Sequence, residues 1–248
     1  MQSNVKIFIK YTATMVLITL TSGILAGCNR TTSSPTAPGD TAKEIPETYT
    51  VNLDPADFVE AVYNPYFLLL PGTIYIYEAK TQDKLERVEV EVLDETKLIM
   101  GITASIVRDT VYLDGELIED TFDWYAQDKD GNVWYMGEAV KNYENGQFTD
   151  TAGSWEAGVN GALPGIIMYA DPAVHVGETY QQEYYQGEAE DMAEVLSAKE
   201  HVNIPFGTYD QVVQTKDFTP LEPDVIENKY YARGIGLIKT VDLSTGEE

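Results

Sequence analysis

Cysteine is almost absent from this chain of 248 residues, because Cys28 is the single one. One thiol cannot form a disulfide within the chain, and it cannot build a zinc site that needs several sulfur ligands. Histidine occurs only at His175 and His201, so any metal site would have to be completed by carboxylates. The sequence therefore predicts a fold stabilised by core burial alone, with no metal and no cofactor.

Positive charge is also scarce: 16 Lys and Arg stand against 41 Asp and Glu, which gives a formal charge of −25 at pH 7. Such a chain repels phosphate backbones and anionic headgroups. This balance argues against nucleic acid as a partner and against membrane binding through basic patches. The acidic residues are spread along the sequence, so solubility explains them more simply than a single acidic binding site does.

Long apolar runs are missing as well. The apolar stretch at residues 13–20 is too short for a transmembrane span, which needs about 20 residues. It follows Lys6 and Lys10 and precedes small residues, the order found in a secretory signal. Leu25-Ala26-Gly27-Cys28 resembles the lipobox of bacterial lipoproteins. The resemblance implies that residues 1–27 are a signal peptide and that Cys28 is lipidated, with palmitate among its acyl chains, and becomes the new N-terminus.

This resemblance also implies a location in the cell envelope, where the lipid holds the protein to a membrane. Asn29 follows the cysteine. It differs from the aspartate that commonly retains lipoproteins at the inner membrane of cells with two membranes. In such a cell the expected destination is the outer membrane.

The rest of the chain divides by composition. Residues 28–48 are rich in Thr, Ser and Pro and have little apolar content, which predicts a flexible tether. Residues 49–243 carry the periodic apolar pattern of a β-rich domain, and residues 244–248 form a short tail.

One helix is predicted, since Asp54-Pro55 is typical of an N-cap followed by proline at the first helical position. We expect it to continue over residues 56–62. After Gly72 the pattern is that of strands and tight turns. The alternation of valine with charged residues over residues 87–92 is the clearest half-buried strand.

Three dipeptides predict hairpin turns, because two-residue turns need positive φ angles that Asn-Gly and Asp-Gly accept. They are Asp114-Gly115, Asp130-Gly131 and Asn145-Gly146. With about a dozen strands, the expected fold is all-β: an antiparallel, strongly curved sheet, sandwich or barrel-like, with one short N-terminal helix. Further strands are expected over residues 102–113, 117–127, 178–185, 192–202, 209–218, 226–231 and 236–242.

Several stretches resemble an uncharacterised family of secreted β-rich bacterial proteins. The stretches are residues 64–73, 123–128, 131–135, 153–158 and 230–237. The resemblance covers roughly residues 64–240 and implies a shared β-rich fold. It implies no activity and no catalytic residues.

Motifs that carry chemistry are few. Gly153-Ser154-Trp155 lacks the second glycine of a nucleophile elbow, and no phosphate-binding glycine loop occurs. Residues 128–132 resemble the opening of a calcium loop, but the glycine comes too early, and a hairpin turn explains them. The dense acidic stretch at residues 188–191 is expected at a solvated strand edge.

Aromatic residues are the remaining signal, with 17 Tyr, 7 Phe and 3 Trp. Trp124, Trp134 and Trp155 lie within about 30 residues of one another, next to a glycine-rich loop at residues 153–165. Most of these rings are expected to stabilise the sheet through cross-strand pairs. The three tryptophans are the candidate ligand-binding residues, with the loop covering a pocket.

Three functions stay open at this point. The first is non-catalytic binding of a small ligand or an envelope protein, and the second is a purely structural scaffold. The third is an envelope hydrolase that uses paired carboxylates. A deep aromatic cavity would favour the first, a filled interior the second, and two buried carboxylates in one cleft the third.

Overall fold

The computed structural model describes residues 8–9, 49–81 and 84–248. The chain is all-β, with 62% of residues in strands and 4% in helices, and its main sheet is a strongly curled antiparallel half-barrel. The predicted fold class is therefore confirmed. Among the described residues, no helix is long and apolar enough to cross a membrane.

Eighteen strands occur in the described part of the chain. In chain order they are β1 (Phe8–Ile9), β2 (Phe58–Val59), β3 (Tyr63–Asn64), β4 (Phe67–Leu68), β5 (Ile74–Thr81), β6 (Lys84–Ile99), β7 (Ile102–Leu113), β8 (Glu116–Asp128), β9 (Val133–Glu144), β10 (Gln147–Phe148), β11 (Trp155–Glu156), β12 (Leu163–Met168), β13 (Thr179–Gln181), β14 (Glu183–Tyr184), β15 (Met192–Ile204), β16 (Gly207–Phe218), β17 (Ile226–Ala232) and β18 (Gly236–Asp242). Two short 3₁₀ helices, η1 (Pro55–Asp57) and η2 (Pro172–His175), complete the elements.

The strands form two main sheets. The larger has the order β1-β5-β6-β7-β8-β9-β12-β14, with β2 paired to β8 and both β10 and β11 paired to β9. The smaller has the order β13-β15-β16-β17-β18, and β3 and β4 form a separate hairpin. Neighbours β5 to β9 are antiparallel throughout, so this part of the larger sheet is a meander built from consecutive hairpins.

Bulges account for the curl of the larger sheet. The register of β6 with β7 shifts between Val92 and Thr96, and that of β8 with β9 shifts at Trp124. An extra residue in one strand bends it and increases the local twist. The meander therefore curves around an interior that the smaller sheet shares.

Two predicted turns have the expected backbone. Asp114-Gly115 has φ angles of 51° and 84°, and Asn145-Gly146 has 50° and 70°. Asp130-Gly131 also lies between two paired strands, β8 and β9, but within a longer connection. Met100-Gly101, with φ angles of 51° and 82°, joins β6 to β7 in the same way. Sequence reasoning missed this turn because methionine rarely adopts a positive φ.

The predicted N-terminal helix is present but much shorter than residues 56–62. Asp54 does cap a helix, since its side chain accepts a hydrogen bond from the backbone N–H of Ala56, but η1 ends at Asp57. Phe58 and Val59 pair with Asp128 and Gln127 of β8 instead. Pairing with β8 gives these residues inter-strand hydrogen bonds within a sheet, which two isolated helical turns cannot match.

Two further segments differ from expectation. The strand predicted over residues 178–185 is divided into β13 and β14, which pair with different sheets. The loop predicted over residues 153–165 contains β11 and the start of β12, both paired with β9. Gly165 of β12 packs against the backbone of Gln181 and Gln182, at the point where β13 ends and the chain leads into β14.

The buried apolar residues form two clusters. The first takes residues from both main sheets, including Val107 of β7 and Val213 of β16. The second is centred on β9 and includes Trp124, Met136 and Trp155. The first cluster does not fill the space between the sheets completely, and the remaining space is the candidate site.

Candidate ligand cavity between the two sheets

A cavity of about 150 Å³, which we call the intersheet cavity, is lined by residues of both main sheets and of the β3–β4 hairpin. An apolar cavity of this size accommodates about one benzene ring. Its aromatic lining residues are Phe67, Tyr75, Tyr77, Tyr125 and Tyr231, and its charged lining residues are Asp109, Asp123 and Lys229. The interior therefore contains an unfilled space, whereas a purely structural scaffold would be expected to have a filled core.

The aromatic wall is held by contacts outside the cavity space. Phe67 and Tyr125 meet edge to face with ring centroids 5.0 Å apart. The Tyr75 hydroxyl donates a hydrogen bond to the carbonyl of Leu68 at 3.1 Å, which joins β5 to the β3–β4 hairpin. Anchored rings of this kind present rigid apolar surface at little entropic cost on binding.

Strand register brings the two aspartates together. Asp109 of β7 lies opposite Thr121 of β8, and Asp123 lies two residues further along β8. The two are therefore diagonal neighbours on one face, within reach of each other's side chains. Both line the intersheet cavity.

Their hydrogen bonding differs. Oδ1 of Asp123 accepts a hydrogen bond from the Tyr135 hydroxyl at 2.6 Å. Asp109 as a residue is half-buried, yet its Oδ1 is shielded from solvent and has no hydrogen-bond partner among the described residues. A buried carboxyl oxygen without a partner is costly, and it is the kind of atom that a ligand can satisfy.

The environment favours the protonated form of both aspartates. Burial raises the pKa of Asp123 to about 7, against the opposing effect of the Tyr135 hydrogen bond and with a further rise from the charge of Glu119. Burial raises the pKa of Asp109 well above its usual range, and the nearby carboxylates Asp123, Glu119 and Glu86 add to that rise. Burial likewise raises the pKa of Glu138, which faces Asp123 across β8 and β9.

The cation of the cavity has acidic partners of its own. Lys229 Nζ lies 3.0 Å from Oδ2 of Asp217 and 3.7 Å from Oε2 of Glu227. All three residues belong to the smaller sheet, on β16 and β17. Every charge that shifts the pKa of Asp109 is a carboxylate. The side of the cavity that carries Asp109 and Asp123 therefore has more acidic than basic side chains.

The structure places the three candidate tryptophans outside the cavity lining. Trp124 is 7% exposed, and the ammonium group of Lys97 lies 3.1 Å from its ring centroid. The indole N–H of Trp134 donates to Oδ2 of Asp128 at 2.9 Å. Trp155 is 4% exposed and packs edge-on against Tyr135 with centroids 5.4 Å apart. Their ligand-binding role stays a prediction, although Trp155 is connected to Asp123 through Tyr135.

The other candidate groups have local roles. His175 pairs with Glu178 at 2.8 Å, and His201 pairs with Asp210 at 2.6 Å. Asp128 uses its oxygens to accept hydrogen bonds from Asn132 and Trp134, which supports the turn interpretation of residues 128–132. Within residues 49–81 and 84–248, no group of three or more His, Asp or Glu residues is arranged to hold a metal ion.

Sequence reasoning missed Asp109 and Asp123, although both lie in predicted strands. The signal was present: Val107, Asp109 and Val111 share one face of β7, and two of the three are apolar. An acidic residue on an apolar face marks a buried carboxyl. Comparisons with protein-family models, with curated proteins and with solved structures found no match to this chain, so the resemblances drawn from its motifs stay predictions.

Proposed function

We propose that this chain is a lipid-anchored, non-catalytic binding protein of the cell envelope that holds a small ligand in the intersheet cavity. The observation that carries the proposal is the partnerless Oδ1 of Asp109, in a cavity whose lining is mostly apolar and includes five aromatic rings. Apolar walls with a few convergent polar groups are the usual composition of a small-molecule site.

The anchoring part of the proposal rests on the sequence. Cys28 and the lipobox-like residues before it lie outside the described part of the chain. The motif Leu25-Ala26-Gly27-Cys28 and the polar tether at residues 28–48 support an acyl chain at Cys28 and a domain held away from the membrane. The anchor would place the cavity in the envelope, where small molecules and other envelope proteins are the available partners.

The binding part is tested by filling the cavity. Val90 is half-buried and lines the intersheet cavity, so Val90→Phe places a ring in the space that a ligand would use. Leu98 is 70% exposed, so Leu98→Phe is a control that places the same ring on the surface. Ligand-observed NMR would follow binding of benzylamine, benzyl alcohol and benzoate, three ring compounds of suitable size.

We expect at least one of the three compounds to bind both the wild type and Leu98→Phe. The same compound should not bind Val90→Phe. Binding that survives in a folded Val90→Phe protein would locate the ligand elsewhere. The absence of binding by all three compounds to the wild type would contradict a ring-sized ligand in this cavity.

Hydrolysis by paired carboxyls is the alternative function, and one observation favours it. Asp109 and Asp123 line the same cavity and both have raised pKa values, as a general acid working near neutral pH requires. Under this alternative, nitrophenyl glycosides or esters would be turned over by the wild type and not by Asp123→Asn. Binding without turnover of such substrates favours the binding function.

A further inference from the structure

We infer that the ligand of the intersheet cavity is an organic cation, a protonated amine on a ring-sized apolar body, whose ammonium group binds Asp109 and Asp123. This inference rests on the proposed binding function and specifies its ligand class. It follows from the position of a partnerless aspartate oxygen beside aromatic rings in a cavity with an excess of acid.

The carboxyl oxygens point to a hydrogen-bond donor. Oδ1 of Asp109 is buried in the cavity wall without a partner among the described residues. Asp123 has its own Oδ1 engaged by Tyr135. An ammonium group has three donors and no acceptor, so it can satisfy Asp109 and reach Asp123 at the same time.

The distribution of charge selects the sign of the ligand. The charged and titratable side chains that interact with the two aspartates are Glu86 of β6, Glu119 of β8, Glu138 and Tyr135 of β9, and Glu183 of β14. Lys229 of β17 faces the cavity from the opposite sheet, 3.0 Å from Asp217. Mutual repulsion between these carboxyls contributes to their raised pKa values. A carboxylate ligand would add to that repulsion whenever they ionise, whereas a cation would offset it and favour their ionised form.

The aromatic wall suits the same ligand. Phe67, Tyr125 and Tyr231 line the cavity, and their ring faces carry the negative side of the π quadrupole. A cation near such faces is attracted to them, and an apolar body gains from contact with the rings. A cavity of about 150 Å³ limits that body to about one six-membered ring.

Proton balance gives the inference a second, independent readout. In the empty cavity Asp123 holds a proton below pH of about 7. When an ammonium ion binds, each of the two aspartates that is still protonated gives up its proton to solvent, and the ion pair forms between the ammonium and the carboxylates. Below this pH, affinity for a cation should therefore fall by about tenfold for each unit of decreasing pH and for each proton released, whereas affinity for a neutral ligand should not change.

The test compares benzylamine, benzyl alcohol and benzoate, which share one ring and differ in charge. Isothermal titration calorimetry at pH 8 should show benzylamine binding at least tenfold more tightly than benzyl alcohol, with no binding of benzoate. Asp109→Asn should reduce benzylamine affinity at least tenfold, a larger loss than it causes for benzyl alcohol. A wild-type series from pH 5 to 8, in which benzylamine stays protonated, should show the loss of affinity at low pH for benzylamine only.

Equal affinity for benzylamine and benzyl alcohol, or tighter binding of benzoate, would overturn the cation while leaving the binding function standing. A benzylamine affinity that does not change from pH 5 to 8 would also overturn it, and this measurement needs no variant. If Asp109→Asn does not fold, Asp123→Asn replaces it with the same expected tenfold loss. Failure of all three compounds to bind contradicts the proposed function itself.

Discussion

Tyr135 donates its hydroxyl to Oδ1 of Asp123 across 2.6 Å inside the protein. The two residues lie on neighbouring strands, β8 and β9, close to the bulge that bends both. Tyr135 also contacts Trp155 at its ring edge. Tyr135 thus connects Asp123, which lines the intersheet cavity, to Trp155 of the second core cluster. Its hydrogen bond fixes the position of the Asp123 carboxyl.

The raised pKa of Asp123 predicts a pH-dependent stability. Its pKa is about 7 in the folded protein, whereas an unfolded-chain aspartate titrates at about 4. Between these values the folded state binds more protons, so the stability that protonated Asp123 contributes is full below pH of about 4 and is lost as the pH rises through about 7. Asp123→Asn cannot ionise and should escape this loss.

Urea unfolding at pH 5, 6, 7 and 8 measures the effect. The free energy of unfolding of Asp123→Asn should rise relative to wild type as the pH increases to 7, by up to about 1.4 kcal/mol per pH unit. The exposed Asp130→Asn removes the same charge at the surface and should show no such trend. A constant difference between Asp123→Asn and wild type across this series would contradict a buried, protonated Asp123.

Trp155 should behave as a core residue. It is 4% exposed, and its indole packs against Tyr135. Trp155→Ala should lower the free energy of unfolding by about 3–5 kcal/mol, because it leaves a cavity and removes an aromatic contact. Circular dichroism melts measure this loss. Phe148→Ala, at a ring that is 56% exposed, is the control and should cost less than about 1 kcal/mol.

A melting curve for Trp155→Ala close to that of Phe148→Ala would show that the indole contributes little to the core. Ligand binding that weakens in such a stable variant would return Trp155 to the role predicted from its sequence neighbourhood.

Gly165 should tolerate no side chain. A Cβ at this position would collide with the backbone of Gln181 and Gln182, where β13 and β14 lead to different sheets. Gly165→Ala should therefore cost about 3 kcal/mol or more, since backbone on both sides cannot move without disturbing the pairing. At Gly115, with a φ of 84° and no atom near the added Cβ, alanine should cost about 1 kcal/mol. Denaturant unfolding measures both losses of the free energy of unfolding. Equal losses for Gly165→Ala and Gly115→Ala would rule out a close approach of Gly165 to the backbone of Gln181 and Gln182.

The anchor is tested at Cys28. Cys28→Ser should abolish incorporation of labelled palmitate and leave an unprocessed precursor, because the thiol is the acceptor of the lipid in the family that the motif resembles. Gel mobility and fatty-acid labelling in a bacterial expression host measure both effects. A Cys28→Ser protein that is still cleaved and still labelled would show that the lipoprotein interpretation is wrong.

Local features of the sequence were sufficient for much of the fold. The strand over residues 102–113 was predicted with the bounds that β7 has, and the strand over residues 236–242 with those of β18. Alternation and turn chemistry act between residues a few positions apart, so they can be recognised without knowing the partners. The early end of the N-terminal helix shows the limit of this reasoning, since pairing with β8, some 70 residues away in sequence, decided the conformation of Phe58 and Val59.

The candidate site was less accessible to sequence reasoning. The aromatic content suggested a ring-lined site near the three tryptophans, whereas the rings that line the intersheet cavity are those of Phe67 and four tyrosines. Alternation indicates that Asp109 shares a face with valines. It does not indicate whether that face meets water, another sheet or an unfilled space.

The sequence by itself determined an all-β chain with hairpin turns, an excess of acid and a single thiol in a lipobox-like motif, because each of these is a local or compositional property. Only the tertiary structure decided that Asp109 and Asp123 meet in one cavity opposite Lys229. That meeting depends on the register of β7 with β8 and on how the larger sheet curls toward the smaller one. Register and curvature arise from hydrogen bonds and packing between distant strands, and no short segment of the chain specifies them.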